Sequence, residues 1–214
     1  MKLFYLQGSC ALAPHIALEH AGLVYEAVRV DRGKQAEASY LRINPLGRVP
    51  ALATASHGTI TEVPAVLMYI AEAAPDCSLI PSVGTAARYD ALRWMAYLSS
   101  TVHPALGRLW RAERFAVDAI ALPAVQHAAA AELASDFAHI ERRLEDRQWL
   151  TGDQLSVADF YLFVFGRLGL RLAPSTREFP NFHRHTLAIA RLPAAQRAMS
   201  QQGIALEGPQ SGPG

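Results

Sequence analysis

The chain lacks most of what would place it in a specialised class. It has two cysteines, Cys10 and Cys77, in 214 residues. That is too few for a disulfide framework, so a reducing compartment is expected. Long apolar runs are missing too. The opening segment breaks at Gln7-Gly8, and the stretch 160–165 stops at Gly166 and Arg167. A signal peptide needs a longer apolar core, and a membrane span about 18 or more apolar residues. A soluble, cytoplasmic protein with no membrane partner is the expectation. Charge of one sign is not in excess: 20 basic against 19 acidic residues give +1, and the mostly arginine basic residues are scattered. No nucleic-acid footprint or acidic tail is written there. Internal repeats are absent. What is present is an ordinary globular composition, 51% hydrophobic and 18% charged, long enough for one large domain or two small ones.

The first 75 residues read as βαβ, a helix, then ββα. Residues 2–6 suit a strand, 10–20 a helix stopped by Gly22, and 25–30 a second strand. The loop Asn44-Pro-Leu-Gly47 leads into a short apolar run in which Pro50 marks a strand start or a special turn. A hairpin at 56–58 and a helix over 64–73 follow, with proline in its first turn. After a Pro/Ser/Gly-rich linker the texture becomes alanine- and leucine-rich, with helices predicted near 86–112, 119–147, 157–171, 180–191 and 194–202. The fold class expected is a small α/β domain over residues 1–77, a linker over 78–86 and an all-α domain over 87–205, with a disordered tail at 206–214. One helix start is well specified: Ser156 caps it, Asp159 returns the bond three residues later, and Leu155 staples against Phe160.

Three places carry chemistry. Cys10 follows a strand and a glycine turn at the first turn of a predicted helix, where free N–H groups and the helix dipole favour a thiolate. Position 13 is alanine, so a Cys-x-x-Cys dithiol is excluded and redox chemistry needs an outside thiol. A turn at Val49-Pro50 offers the Val49 backbone to a peptide-like ligand. Glu62, opening the helix that contains Pro64, pairs a carboxylate for an ammonium with helix N–H groups for a carboxylate, which suits an α-amino acid head group.

These stretches, namely Gly8-Ser-Cys-Ala-Leu-Ala-Pro-His15, Asn44-Pro-Leu-Gly-Arg-Val-Pro50, Thr61-Glu62 with Ala65 and Tyr69-Ile-Ala, and Leu155-Ser-Val-Ala-Asp159, resemble the cytosolic glutathione transferases. The bacterial beta class is the most similar, from Met1 to about Met199. The resemblance implies a thioredoxin-like N-terminal domain, a helical C-terminal domain, a homodimer, and glutathione as co-substrate with no metal. It places Cys10 and His103 beside the glutathione sulfur, with thiolate attack on a small electrophile or exchange with a disulfide as the reaction. It assigns Val49, with Pro50 cis, to the cysteinyl part, Glu62 and the Val63 N–H to the γ-glutamyl end, Lys34 to the glycyl carboxylate, and Arg48 and Ser100 to the same ligand. The electrophile is expected near Trp110, Phe115 and Tyr161. Three departures stand out: Val63 where the family has Ser or Gly, Ala96 where it offers an asparagine, and Pro104 where it often has lysine. A lost hydroxyl bond is worth roughly 0.5–1.5 kcal/mol. The alternative expectation is a non-catalytic homologue serving as a binding or scaffold protein.

Overall fold

The computed structural model describes residues 1–207, so the predicted tail falls, beyond Glu207, outside the described residues. Four strands form one mixed sheet in the order β2-β1-β3-β4: β1 (Lys2–Tyr5), β2 (Glu26–Arg29), β3 (Ala51–Thr54) and β4 (Gly58–Thr61). β1 and β2 are parallel, with Leu3 opposite Ala27, and α1 (Leu12–Ala21) supplies the crossover such a pair requires. The Leu3, Leu52 and Ile60 positions then stack across the antiparallel β1–β3 and β3–β4 ladders. Gly22 ends α1 with φ 61°, as its place after the last apolar residue implies. Pro50 immediately precedes β3, where its missing N–H removes no ladder bond.

A one-turn helix, α2 (Ala38–Leu41), lies before the Asn44 loop, and α3 (Val63–Ala73) follows the hairpin. The remaining helices are α4 (Ala86–Tyr97), α5 (His103–Trp110), α6 (Leu122–Arg143), α7 (Val157–Gly169), α8 (Pro180–Ala190) and α9 (Pro193–Gln202). The single helix expected over 86–112 is in fact α4 and α5 joined by a wider π turn, Leu98–Val102. Pro104 explains the difference, because it offers no N–H to the carbonyl four residues back and its ring crowds that turn.

One buried cluster runs through both parts, from Leu3, Leu12 and Ile16 to Trp94, Phe137 and Phe163. α7 is its centre, buried along its whole length. Gly166 is needed there: a Cβ at that position would sit 2.1 Å from Thr186 Oγ1 on α8. The Ser156–Asp159 box opens α7 as expected, with the Ser156 N–H donating to Asp159 Oδ2 at 2.8 Å. The other carboxylate oxygen accepts from the Leu150 N–H at 2.8 Å and pairs with His185 Nε2 at 3.0 Å. Among the described residues no helix is long and apolar enough to cross a membrane.

Candidate active site

Three stretches far apart in sequence line one cleft of about 1250 Å³: the 6–10 turn after β1, the 44–50 loop before β3, and Glu62 with Val63 at the start of α3. The opposite wall comes from the π turn, α5 and α7.

The turn at Cys10 is built by Ser9. Its hydroxyl donates to the Leu6 carbonyl at 2.7 Å and accepts from the Ala11 N–H at 3.3 Å. The Leu12 and Ala13 N–H groups donate to the carbonyls of Ser9 and Cys10 at 3.0 and 3.2 Å. Cys10 therefore stands before α1, whose N-cap is Ala11, rather than within its first turn. The thiol donates to the Val49 carbonyl at 3.6 Å. Burial pushes it up to about 12, against the opposing pull of the Cys10 and Ala11 N–H groups, with Glu62 adding to the rise and Arg111 resisting it. The expected thiolate is thus corrected to a thiol. Desolvation outweighs the pull of the nearby amides.

The Val49-Pro50 bond is cis. Its loop is templated by buried Asn44, whose Nδ2 donates to the Arg48 carbonyl at 2.7 Å while its Oδ1 accepts from the Leu46 N–H at 3.1 Å. The Tyr40 hydroxyl donates to that same Arg48 carbonyl at 2.7 Å. Glu62 has φ 67° and ψ 125°, a conformation that costs a non-glycine residue on the order of 1–3 kcal/mol and clusters at functional sites. It caps α3, where Val63 begins the helix and packs into the core.

His103 reaches the cleft because the π turn puts it on the same side as Ser99, four residues earlier. Its Nδ1 lies 3.2 Å from the Tyr161 hydroxyl. Burial, Arg111 and Arg48 lower its affinity for a proton, so the ring is neutral at neutral pH. Tyr161 is held well above its usual range by burial. Sulfur placed between Cys10, His103 and Tyr161 would meet neutral hydrogen-bonding groups.

Arg48, Val49, Pro50, Glu62, Val63, Cys10 and His103 all line the cleft, as do the three expected aromatics Trp110, Phe115 and Tyr161. Lys34 and Ser100 do not. Lys34 lies in an exposed 3-10 turn 4.0 Å from Glu37, and Arg32 and Gln35 occupy the wall instead. Ser100 is exposed and its hydroxyl donates back to the Ala96 carbonyl at 2.8 Å. The π turn presents Ser99 to the cleft in its place. Sequence reasoning missed four cations of the lining, Arg32, Arg111, Arg114 and Arg167. For Arg167 a signal existed: an arginine inside an otherwise apolar helical run. No group of three or more metal-ligating side chains gathers among the described residues.

The sequence matches the glutathione S-transferase N-terminal domain over residues 8–73 and the C-terminal domain of the same proteins over 112–193. It is 30% identical over 207 residues to "Glutathione S-transferase GstA" of Escherichia coli O157:H7, covering 95% of this chain and all 100% of that one. This chain belongs to the glutathione S-transferase family. The solved bacterial beta class transferase of Sphingomonas chungbukensis is similar to it with a TM-score of 0.86 and 33% identity, covering 96% of this chain and 100% of that one. A sphingomonad transferase complexed with glutathione gives 0.85 and 36%, with the same coverage. The thioredoxin-like and helical halves expected from the resemblance are therefore those of this transferase.

Proposed function

We propose that this transferase binds glutathione along the cleft and activates its thiol for attack on a small electrophile. The observation that carries the reading is the meeting of three separate motifs within one cavity, where the Cys10 thiol lies 3.6 Å from the Val49 carbonyl and strained Glu62 caps α3. In this reading the Val49 backbone pairs with the cysteinyl unit beside Pro50. Glu62 holds the γ-glutamyl ammonium while the Val63 N–H faces its carboxylate, and Arg48 lies toward the glycyl end.

The nucleophile is the sulfur of glutathione, not that of Cys10. A free thiol titrates near 8.5, whereas burial holds the proton on Cys10. Cys10 can therefore donate S–H to the ligand sulfur once that sulfur is ionised, and His103 and Tyr161 complete the surroundings of the anion. Thiolate forms a C–S bond with the electrophilic carbon, the leaving group departs with its electron pair, and the thiol proton passes to solvent. Residues 1–77 serve as the glutathione-binding part and 87–205 as the helical part of a cytoplasmic homodimer, whose interface the exposed apolar side chains of Leu46, Val83 and Tyr89 would help to form.

Calorimetric titration with glutathione, followed by a spectrophotometric aryl-halide assay, tests the reading. Binding and turnover are expected in the parent protein. Glu62→Gln is expected to weaken glutathione binding about tenfold, the scale of one charge-assisted hydrogen bond. Absence of both binding and turnover in the parent would return the protein to the scaffold class.

A further inference from the structure

The scheme above leaves the most buried cation of the cleft without a role. Arg167 lies on α7 between Val164 and Leu168, all three lining the cleft. It is only 4% exposed. Its Nε donates to the Ala205 carbonyl at 3.0 Å. Among the described residues it forms no ion pair, and the charge that acts on it is a like one, Arg171. By contrast, Arg143 on α6 is paired with Asp90 and Arg177 with Glu207. A guanidinium left in the interior without a counter-charge is destabilising. Burial lowers Arg167 to about 10, so it stays charged at neutral pH.

The surroundings say what would relieve that cost. Arg167 Nη1 lies beside Gly8, at 3.7 Å from where a Cβ there would stand, and Gly8 also lines the cleft. The fork thus lies against the turn that carries Cys10, two residues before it in sequence. Along α7 the neighbouring lining is Tyr161, Val164, Phe165 and Leu168, an apolar and aromatic wall suited to a ring. Arg111 and Arg114 add charge of the same sign to the cleft lining, and burial, with Arg114 and Arg32 beside it, lowers Arg111. A planar guanidinium matches a carboxylate in two parallel hydrogen bonds.

Building on the transferase reading, we propose that Arg167 binds the carboxylate of the second substrate, and that this substrate is an aryl electrophile carrying an acid group. In the step itself the glutathione sulfur bonds to the ring carbon that bears a halide. The carbon–halogen bond breaks, halide leaves with the electron pair, and the carboxylate stays paired with Arg167 throughout.

The test compares chlorodinitrobenzene with its ring carboxylate, chlorodinitrobenzoate, in the parent protein and in Arg167→Met, Arg167→Lys and Arg111→Gln. The parent is expected to show the lower KM for the acid. Arg167→Met is expected to raise that KM about tenfold or more, as loss of a charge-assisted pair does, while the KM for the neutral halide moves less than about twofold on the same scale. Arg167→Lys should recover part of the loss. Equal loss on both substrates assigns Arg167 to anchoring the Ala205 segment and overturns the proposal. So does abolition of the preference by Arg111→Gln with Arg167→Met unchanged. Calorimetry on the unmodified protein with glutathione present needs no variant to fold. Benzoate is expected to bind at least about tenfold more tightly than benzamide. If it does not, the proposal fails even where the neutral halide is conjugated normally. If benzoate binds as expected and neither halide is turned over, the anion site stands and the transferase reading is what fails.

Discussion

At the scale of single residues, the decisive group is Cys10, whose thiol burial holds up to about 12. Such a group is almost wholly protonated at neutral pH, and only ionised thiol reacts with alkylating agents. Iodoacetamide at pH 7.5 is therefore expected to modify Cys10 at least about a hundredfold more slowly than free glutathione, whose thiol titrates near 8.5. The rate should keep climbing with pH beyond 10, because the folded state raises the value at which the proton leaves. Quantitative mass spectrometry of the peptide containing residue 10 measures it, and a plateau below pH 9 would contradict the burial. Sequence gave away the identity of this residue and its neighbours Val49 and Glu62, because each sits in a short motif. It misjudged the protonation of Cys10, because that depends on how much protein closes over the sulfur. Lys34 and Ser100 escape for the same kind of reason: their side chains turn to solvent in a local 3-10 turn and a π turn that no short motif reports.

At the scale of elements, the start of α7 holds more than a helix cap. Asp159 accepts from two backbone N–H groups and faces His185, all within the core. Asp159→Ala is expected to destabilise the protein by about 3–5 kcal/mol, since the buried Leu150 and Ser156 N–H groups and His185 all lose their acceptor. The midpoint of urea unfolding reads the change, and a loss below about 1 kcal/mol would reduce Asp159 to an ordinary cap. The Ser156–Asp159 spacing was readable in advance, whereas the calls on Asp159 from Leu150 and His185 come from a loop and from another helix. The π turn was likewise hidden. Pro104 was visible in the sequence, but alanine- and leucine-rich surroundings read as one uninterrupted helix, and only its packing against α7 shows where the extra residue is accommodated.

For the whole molecule, the order of strands and helices was legible because hydrophobic period and turn residues agree in the first 75 residues and alanine dominates afterwards. What the order could not reveal is how completely the two halves share a core. α1 packs against α7 and α9 as well as α3. Buried His15 on α1 bonds Gln201 at 2.7 Å and Gln202 at 3.0 Å. A common interior predicts a single cooperative unfolding transition, with far-UV circular dichroism and tryptophan fluorescence coinciding in denaturant. All three tryptophans, Trp94, Trp110 and Trp149, lie in the helical half, so two separated transitions would show the halves to be independent.

The clasp between α1 and α9 has a further consequence, set by the order in which a protein is made. Gly8 donates its N–H to Gln202 at 3.0 Å, and the Gln7 side chain donates to the Gly203 carbonyl at 3.2 Å. The turn that carries the sulfur is held by a residue 194 positions further along the chain. A chain made only as far as α8 lacks both of these bonds, so the fixing of the sulfur-bearing turn waits on synthesis of α9.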